Sequence, residues 1–425
     1  MTTDLFRLCP PRDWRRMTIR PVILTIGILC LLSGGSAVSG ADWPQWRGPN
    51  RDGKSMETGL RRQWPAEGLK PLWVVNGLGK GLSSVVVVDG VVYATGMTEK
   101  NEGALFAFDL SGKLKWQTSY GPEWSKSYPG ARYAPTVQNN HLYLMTGLAC
   151  VVCIDAATGN VKWSEDVGAK FGGTPPVHGF AEAVLVDGDR VICTPGGKDA
   201  SLVALDRTTG RVVWASKGLS EQSAYCAPIL IERGGTRLVV TLTAKSMVGL
   251  DPQTGGLVWS APFDQEAKDT NHSAAPVYHE GYLYATSAHG KGGQLFELSP
   301  DGRKISLKWS DQTLNCGHGG VVAVDGYFYG TNLKGKWACL NVKDGQVMYE
   351  DKGIGAGSVA FADGMLYCYG QNGTLALAQA TPKGFELAGS TKVTQGEGQH
   401  WAHPVIAGGR LYLRHGSALV VYEIK

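Results

Sequence analysis

The sequence predicts an all-β chain, an eight-bladed β-propeller of four-stranded antiparallel blades closed by an N-terminal strand. Three observations carry this: a turn motif recurring about every 45 residues, paired turn residues between short apolar runs, and a final unit one strand short. The motif ends an apolar run with an acid, then gives turn residues, a glycine and an indole, as in Cys153-Ile-Asp155-Ala-Ala-Thr-Gly159-Asn-Val-Lys-Trp163. It recurs from Ala204 to Trp214 and from Gly249 to Trp259, in shorter form from Ala107 to Trp116, and in degenerate form from Cys339 to Tyr349. Asp109, Asp155, Asp206, Asp251 and the amide Asn341 are spaced by 46, 51, 45 and 90 residues, the last being two periods.

Four short strands fit within each period. Asp89-Gly90, Asn139-Asn140, Asp187-Gly188, Glu280-Gly281, Asp325-Gly326, Asp363-Gly364 and Gly408-Gly409 sit between runs of Val, Leu and Tyr. Such pairs tolerate positive φ at both central positions, which matches the twist of flanking strands and marks hairpins. Glycine, at 58 of 425 residues, is about twice as frequent as usual. No sustained 3.6-residue apolar period follows the leader, so helix should be scarce. Inner strands are expected near Ser83, Ala134, Ala181, Ala227, Ala274, Gly319, Ser358 and His403, which gives eight units across residues 65–425. The last unit stops after three strands, and Pro71-Leu-Trp-Val-Val75 is a spare strand ahead of the first. Pairing the two would close the ring and remove its open sheet edges.

Residues 1–41 read as a secretory signal peptide. Five arginines up to Arg20 precede an apolar run from Val22 to Leu32, too short to span a bilayer, followed by small residues and a cut after Ser39-Gly40-Ala41. The chain is therefore expected to be exported, periplasmic or extracellular, and soluble, with no transmembrane segment. Residues 42–64, with Trp43, Pro44, Trp46, Pro49 and Gly53, read as an ordered strap lying on the surface of the propeller, its Arg47 or Arg51 paired with carboxylates there. Residues 42–425 hold 36 basic and 35 acidic side chains, a balance that leaves no electrostatic footprint for nucleic acid. Seven cysteines follow the leader, an odd number at irregular spacing, and read as buried thiols. Cys150 and Cys153 spell C-x-x-C, but on a strand and without the His of haem attachment.

The A-x-D-x-x-T-G-x-x-x-W copies resemble the tryptophan-docking motif of the pyrroloquinoline quinone (PQQ)-like β-propellers, and the resemblance covers nearly everything from Trp64 to Lys425. The segment from Asp42 to Gly53 is similar to the opening of a planctomycete-type exported group within that family. The family includes quinoprotein alcohol and glucose dehydrogenases and the barrel-assembly lipoprotein of bacterial outer membranes. The resemblance implies that Asp109, Asp155, Asp206 and Asp251 brace tight turns while Trp116, Trp163, Trp214, Trp259 and Trp309 dock on neighbouring blades. The family's enzymes place an adjacent Cys-Cys disulfide beside the quinone and hold Ca²⁺ with a Glu, Asn and Asp set. This sequence has no Cys-Cys pair, and its Asp269, Asn271 and Asn315 fall in no matching local pattern.

Links between blades enter each inner strand at one face, so the residues just before those strands should converge on the mouth of the central channel. They are Arg132, Tyr133, His178, Tyr225, His272, His318, His400, Trp401 and His403, a candidate ligand site built from several blades. No catalytic residue or metal ligand is assigned. These readings favour a noncatalytic binding or interaction scaffold, monomeric, without a cofactor, for a protein or small-molecule ligand. One alternative is a PQQ-dependent alcohol or sugar dehydrogenase with PQQ and Ca²⁺, and another is an outer-membrane protein assembly factor.

Overall fold

A computed structural model of the protein describes residues 42–266, 271–288 and 290–425, so the leader assigned to residues 1–41 lies outside the described residues, as does Asp269. Its strands form eight four-stranded antiparallel sheets. Blades 1 to 8 comprise residues 86–122, 136–166, 185–215, 229–262, 277–311, 322–351, 357–392 and 405–423, the last completed by the strand Pro71–Val75. That strand pairs antiparallel with Ala418–Glu423, Trp73 opposite Val421 and Val75 opposite Leu419, so the ring closes with its first strand beside its last. Among the described residues the one helix is Val167–Phe171, capped by Asp166 and ended by Gly172 at φ 68°. Most inner strands begin two to four residues later than the sequence suggests, because the links run extended before regular pairing starts.

The hydrophobic core lies between blades. Tyr143, Val151 and Cys153 of blade 2, for example, pack with Val191, Cys193 and Leu205 of blade 3. Six of the eight interfaces are fastened by the recurrent turn. Asp206 Oδ1 accepts from the amides and hydroxyls of both Thr208 and Thr209, and these hydrogen bonds hold its carboxyl down at about 2. Gly210 then turns at φ 72°, and the ring of Trp163 from blade 2 lies where a side chain would begin, 2.7 Å from that point. The indole N–H donates to Arg207 O at 3.0 Å. Trp116, Trp214, Trp259 and Trp309 make the same bond to Ala156, Pro252, Gly302 and Val342 of the next blade. Trp73 bonds Leu110 O and so joins blade 8 to blade 1. The strand register shifts beside this position in every blade. Tyr349 takes the position in blade 6. Blade 7 has Gly389 there, and the buried Trp64, from outside the repeats, sits over it, its Cβ 2.6 Å from where a Gly389 side chain would start.

Residues 42–64 depart from the surface strap read from the sequence. Residues 43–55 enter the central channel, whereas residues 56–63 are largely exposed. Trp43 exchanges two backbone bonds with Val87 of blade 1, Pro44 O accepts from Val137 of blade 2, and Ser55 N donates to Phe361 O of blade 7. Neither arginine is held by a carboxylate hydrogen bond. All five N–H groups of Arg51 are used: Gln45 Oε1, Thr136 Oγ1, and the carbonyls of Ala183, Val184 and Pro228. Arg47 donates to Val321 O at 2.5 Å. Inner strands crowd carbonyl oxygens around the axis, and a planar fork of donors satisfies several of them at once. From Leu60 the chain runs outward, Arg61 N bonding Ile424 O and Trp64 N bonding Ala388 O, and so reaches the closing strand.

Candidate functional site

Above this plug the channel opens into a cavity of about 370 Å³. Trp46 forms its floor, 95% buried, with its ring centroid 6.0 Å from Tyr133 and 5.4 Å from His403. The walls come from the links and turns of all eight blades. Seven of the nine residues singled out from the sequence line it: Arg132, Tyr133, His178, Tyr225, His318, Trp401 and His403.

His272 and His400 do not. His272 is buried between blades 4 and 5, Nδ1 against Ser287 Oγ at 2.7 Å and Nε2 against Ala244 O at 3.1 Å. His400 stacks on His415 at 3.6 Å and meets the Tyr369 hydroxyl. Alternation explains both. In an extended link successive side chains point to opposite sides, so Asn271 and Ser273 face the cavity while His272 faces away, and Trp401 and His403 face it while His400 faces away. Asn271 stands at one of these junctions in the sequence, and period-two reading of the links would have added Ser273. No local signal marks Trp46, Tyr128 or Gln371, which reach the cavity from the plug, an irregular link and a hairpin turn.

An arc of rings borders the mouth. His178 lies 5.4 Å from Tyr128, Tyr128 lies 4.9 Å from Trp401, and Trp401 lies 4.6 Å from His318, whose Nε2 meets Gln371 Nε2 at 3.1 Å. Ser127 Oγ fixes His178 Nδ1 at 2.9 Å, and Tyr133 donates its hydroxyl to Tyr225 O. Bulky residues seldom adopt positive φ. Tyr128 at 48° and Tyr225 at 63° do so in this wall, and Arg47 and Arg51 do so in the plug beneath it.

The lining is nearly without charge. Burial pushes His318 down to about 4 and His403 down to about 3, the latter helped by Arg47, so both imidazoles are neutral at physiological pH. His403 Nε2 donates to His318 O at 2.8 Å, which leaves Nδ1 as an acceptor. Among the described residues Arg132 is the one charged side chain of the wall, its Nη2 bonded to the carbonyls of Ser127 and Tyr128. Three buried polar atoms of the lining have no hydrogen-bond partner among the described residues: Ser84 Oγ, Arg132 Nε and His403 Nδ1. Among the described residues, no three His, Cys, Asp or Glu side chains converge as a metal site.

This donor set does not fit PQQ with Ca²⁺. A tricarboxylate quinone needs several cations and the ion needs anionic oxygens. Among the described residues the wall offers one guanidinium, its Nη2 already engaged by two carbonyls, and no carboxylate. The cysteines do not bear on the cavity chemistry: all seven described are free thiols, and all but Cys150 are buried. Among the described residues no helix is long and apolar enough to cross a membrane.

Comparison with known proteins gives two kinds of relative. The family model described as outer membrane protein assembly factor BamB matches residues 101–351, more than half of the chain. The quinoprotein alcohol dehydrogenase PedH of Pseudomonas putida is 25% identical over 223 residues, 50% of this chain and 33% of that protein. The outer membrane protein assembly factor BamB of Yersinia pestis is 24% identical over 60% of this chain and 65% of its own. The chain thus matches under two thirds of the length of these curated relatives. Among solved structures, BamB from Moraxella catarrhalis superposes with a TM-score of 0.62 at 14% identity, covering 84% of this chain and all of the other. Quinohemoprotein alcohol dehydrogenase from Comamonas testosteroni superposes with 0.63 at 12% identity, covering 90% of this chain and 80% of the other. Identities this low speak to fold alone.

Proposed function

The chain belongs to the outer membrane protein assembly factor BamB family of PQQ-like propellers, and from that premise we propose that it is an exported, noncatalytic binding scaffold whose ligand site is the cavity at the channel mouth. Relatives carrying both enzyme and assembly-factor names share this fold, so the fold does not choose between them and the site must. The observation that carries the reading is the wall itself: rings and neutral polar groups from every blade over a floor closed by Trp46, with no carboxylate among the described residues to act as base or to hold an ion. Such a wall recognises by shape and hydrogen bonding and leaves its ligand unchanged.

The test is reconstitution. Purified protein incubated with PQQ and Ca²⁺, then desalted, is expected to keep no stoichiometric quinone absorbance and to reduce no dye with ethanol, butanol or glucose. Retained quinone together with alcohol-dependent dye reduction would replace this reading with the dehydrogenase.

A further inference from the structure

Resting on that reading, we propose that the cavity binds a neutral saccharide, taking the end of an oligosaccharide into its closed cup. A sugar ring has apolar C–H faces and an edge of hydroxyls that each donate and accept. The cavity presents both complements. Trp401 and Tyr128 at the mouth and Trp46 on the floor supply flat apolar surface. Between them, Asn271 and Gln371 offer amides that donate and accept through one planar group, and neutral His318, whose Nε2 is met by Gln371, offers its Nδ1. Ionic ligands are selected against among the described residues: an acid would find one guanidinium whose Nη2 is already bonded to two carbonyls, and a cation would find no carboxylate.

Two further observations point to a bound partner rather than to packing alone. The buried Ser84 Oγ and Arg132 Nε in the wall have no hydrogen-bond partner among the described residues, whereas most buried polar groups do. Tyr128 is also 44% exposed while held at φ 48°, an unfavourable conformation that puts a large ring at the mouth instead of in the core. Trp46 closes the lower end, so a polymer threaded through the wheel is excluded and a chain end is admitted. Glycoside hydrolysis needs a pair of carboxyl groups. None lines this wall among the described residues, and the sugar leaves intact.

The test is calorimetric titration of the purified protein, with tryptophan emission read in parallel, using maltose, cellobiose and chitobiose as probes and glucuronic acid as the charged control. Saturable one-to-one binding of at least one disaccharide, with a change in emission and no binding of glucuronic acid, is expected. Trp401→Ala should weaken that binding about tenfold or more and Gln371→Ala about three- to tenfold, both at unchanged melting temperature. Competition by the matching polysaccharide would identify a glycan end as the source, and its failure to compete a free solute. Binding of none of the three, or binding by folded Trp401→Ala equal to that of the parent, would overturn the proposal. Neither result touches the noncatalytic reading, which falls only with PQQ-dependent turnover.

Discussion

The joint between blades 2 and 3 and the joint between blades 7 and 8 use the same architecture but draw their indole from different parts of the chain. In the first, Trp163 grows from the outer strand of blade 2, lies over Gly210 and bonds Arg207 O. In the second, Gly389 stands where the ring should grow, and Trp64 from the N-terminal segment covers it, its Nε1 buried without a partner among the described residues. The difference teaches that the repeat builds most of the wheel locally, while the segment ahead of it completes what the repeat leaves unfinished. That segment plugs the axis, floors the cavity, covers Gly389 and supplies the closing strand. None of these roles has a second copy.

The comparison predicts that damage to the segment costs more than damage to any one repeat. Arg51→Ala should have the largest effect, because three carbonyls and a hydroxyl belonging to blades 2, 3 and 4 or their links lose buried donors together. At about 1–3 kcal/mol for each unsatisfied group, a loss on the order of 4 kcal/mol or more follows, read as the midpoint of urea unfolding. Arg51→Lys should recover little, since an ammonium replaces a five-donor fork with one point. Trp64→Ala comes next, at about 3–5 kcal/mol for an emptied aromatic site. A cost near zero would show that Gly389 needs no cover.

Acid supplies the third probe. His403 is protonated in the unfolded chain below about 6.5 but stays neutral in the fold down to about 3, so the unfolded state binds more protons across that window. Stability is therefore full above pH 6.5 and falls as pH drops, by at most about 1.4 kcal/mol per unit for this one group. His318 acts in the same sense down to about 4. Unfolding midpoints at pH 7 and pH 5 should differ less in His403→Gln than in the parent, and equal differences would remove His403 from the account. Smallest of all, Trp163→Phe keeps the ring and loses one N–H bond, which amounts to about 1 kcal/mol in the same urea assay.

The contrast also explains what was legible beforehand. Periodic features were. Asp155, Asp206 and Asp251 recur with their Gly and Trp, the turn pairs count the blades, and a three-stranded last unit calls for the strand at Leu72 to Val75. Channel-mouth residues followed from the same period, though only those on the inward side of each link: Trp401 and His403 were reached, while His400, one position out of phase, was not. Single-copy features carried no such signal. Trp43, Trp46, Arg47 and Arg51 read as a strap on the surface, where buried arginine would be costly without carboxylates. Carbonyl oxygens brought together by the finished ring make the axis hospitable to them, and no stretch of sequence displays that convergence.

The pairing of Trp73 with Val421 carries a consequence for biogenesis. Almost the whole chain must emerge before those two strands can meet, so the circle stays an open spiral during synthesis, with two unpaired edges looking for partners. Seven blades can stack as they appear, yet the final lock is late and all-or-none. A nascent chain arrested within the last blade would leave the leading strand without its mate, which makes the closing seam the point at which quality control should read completeness.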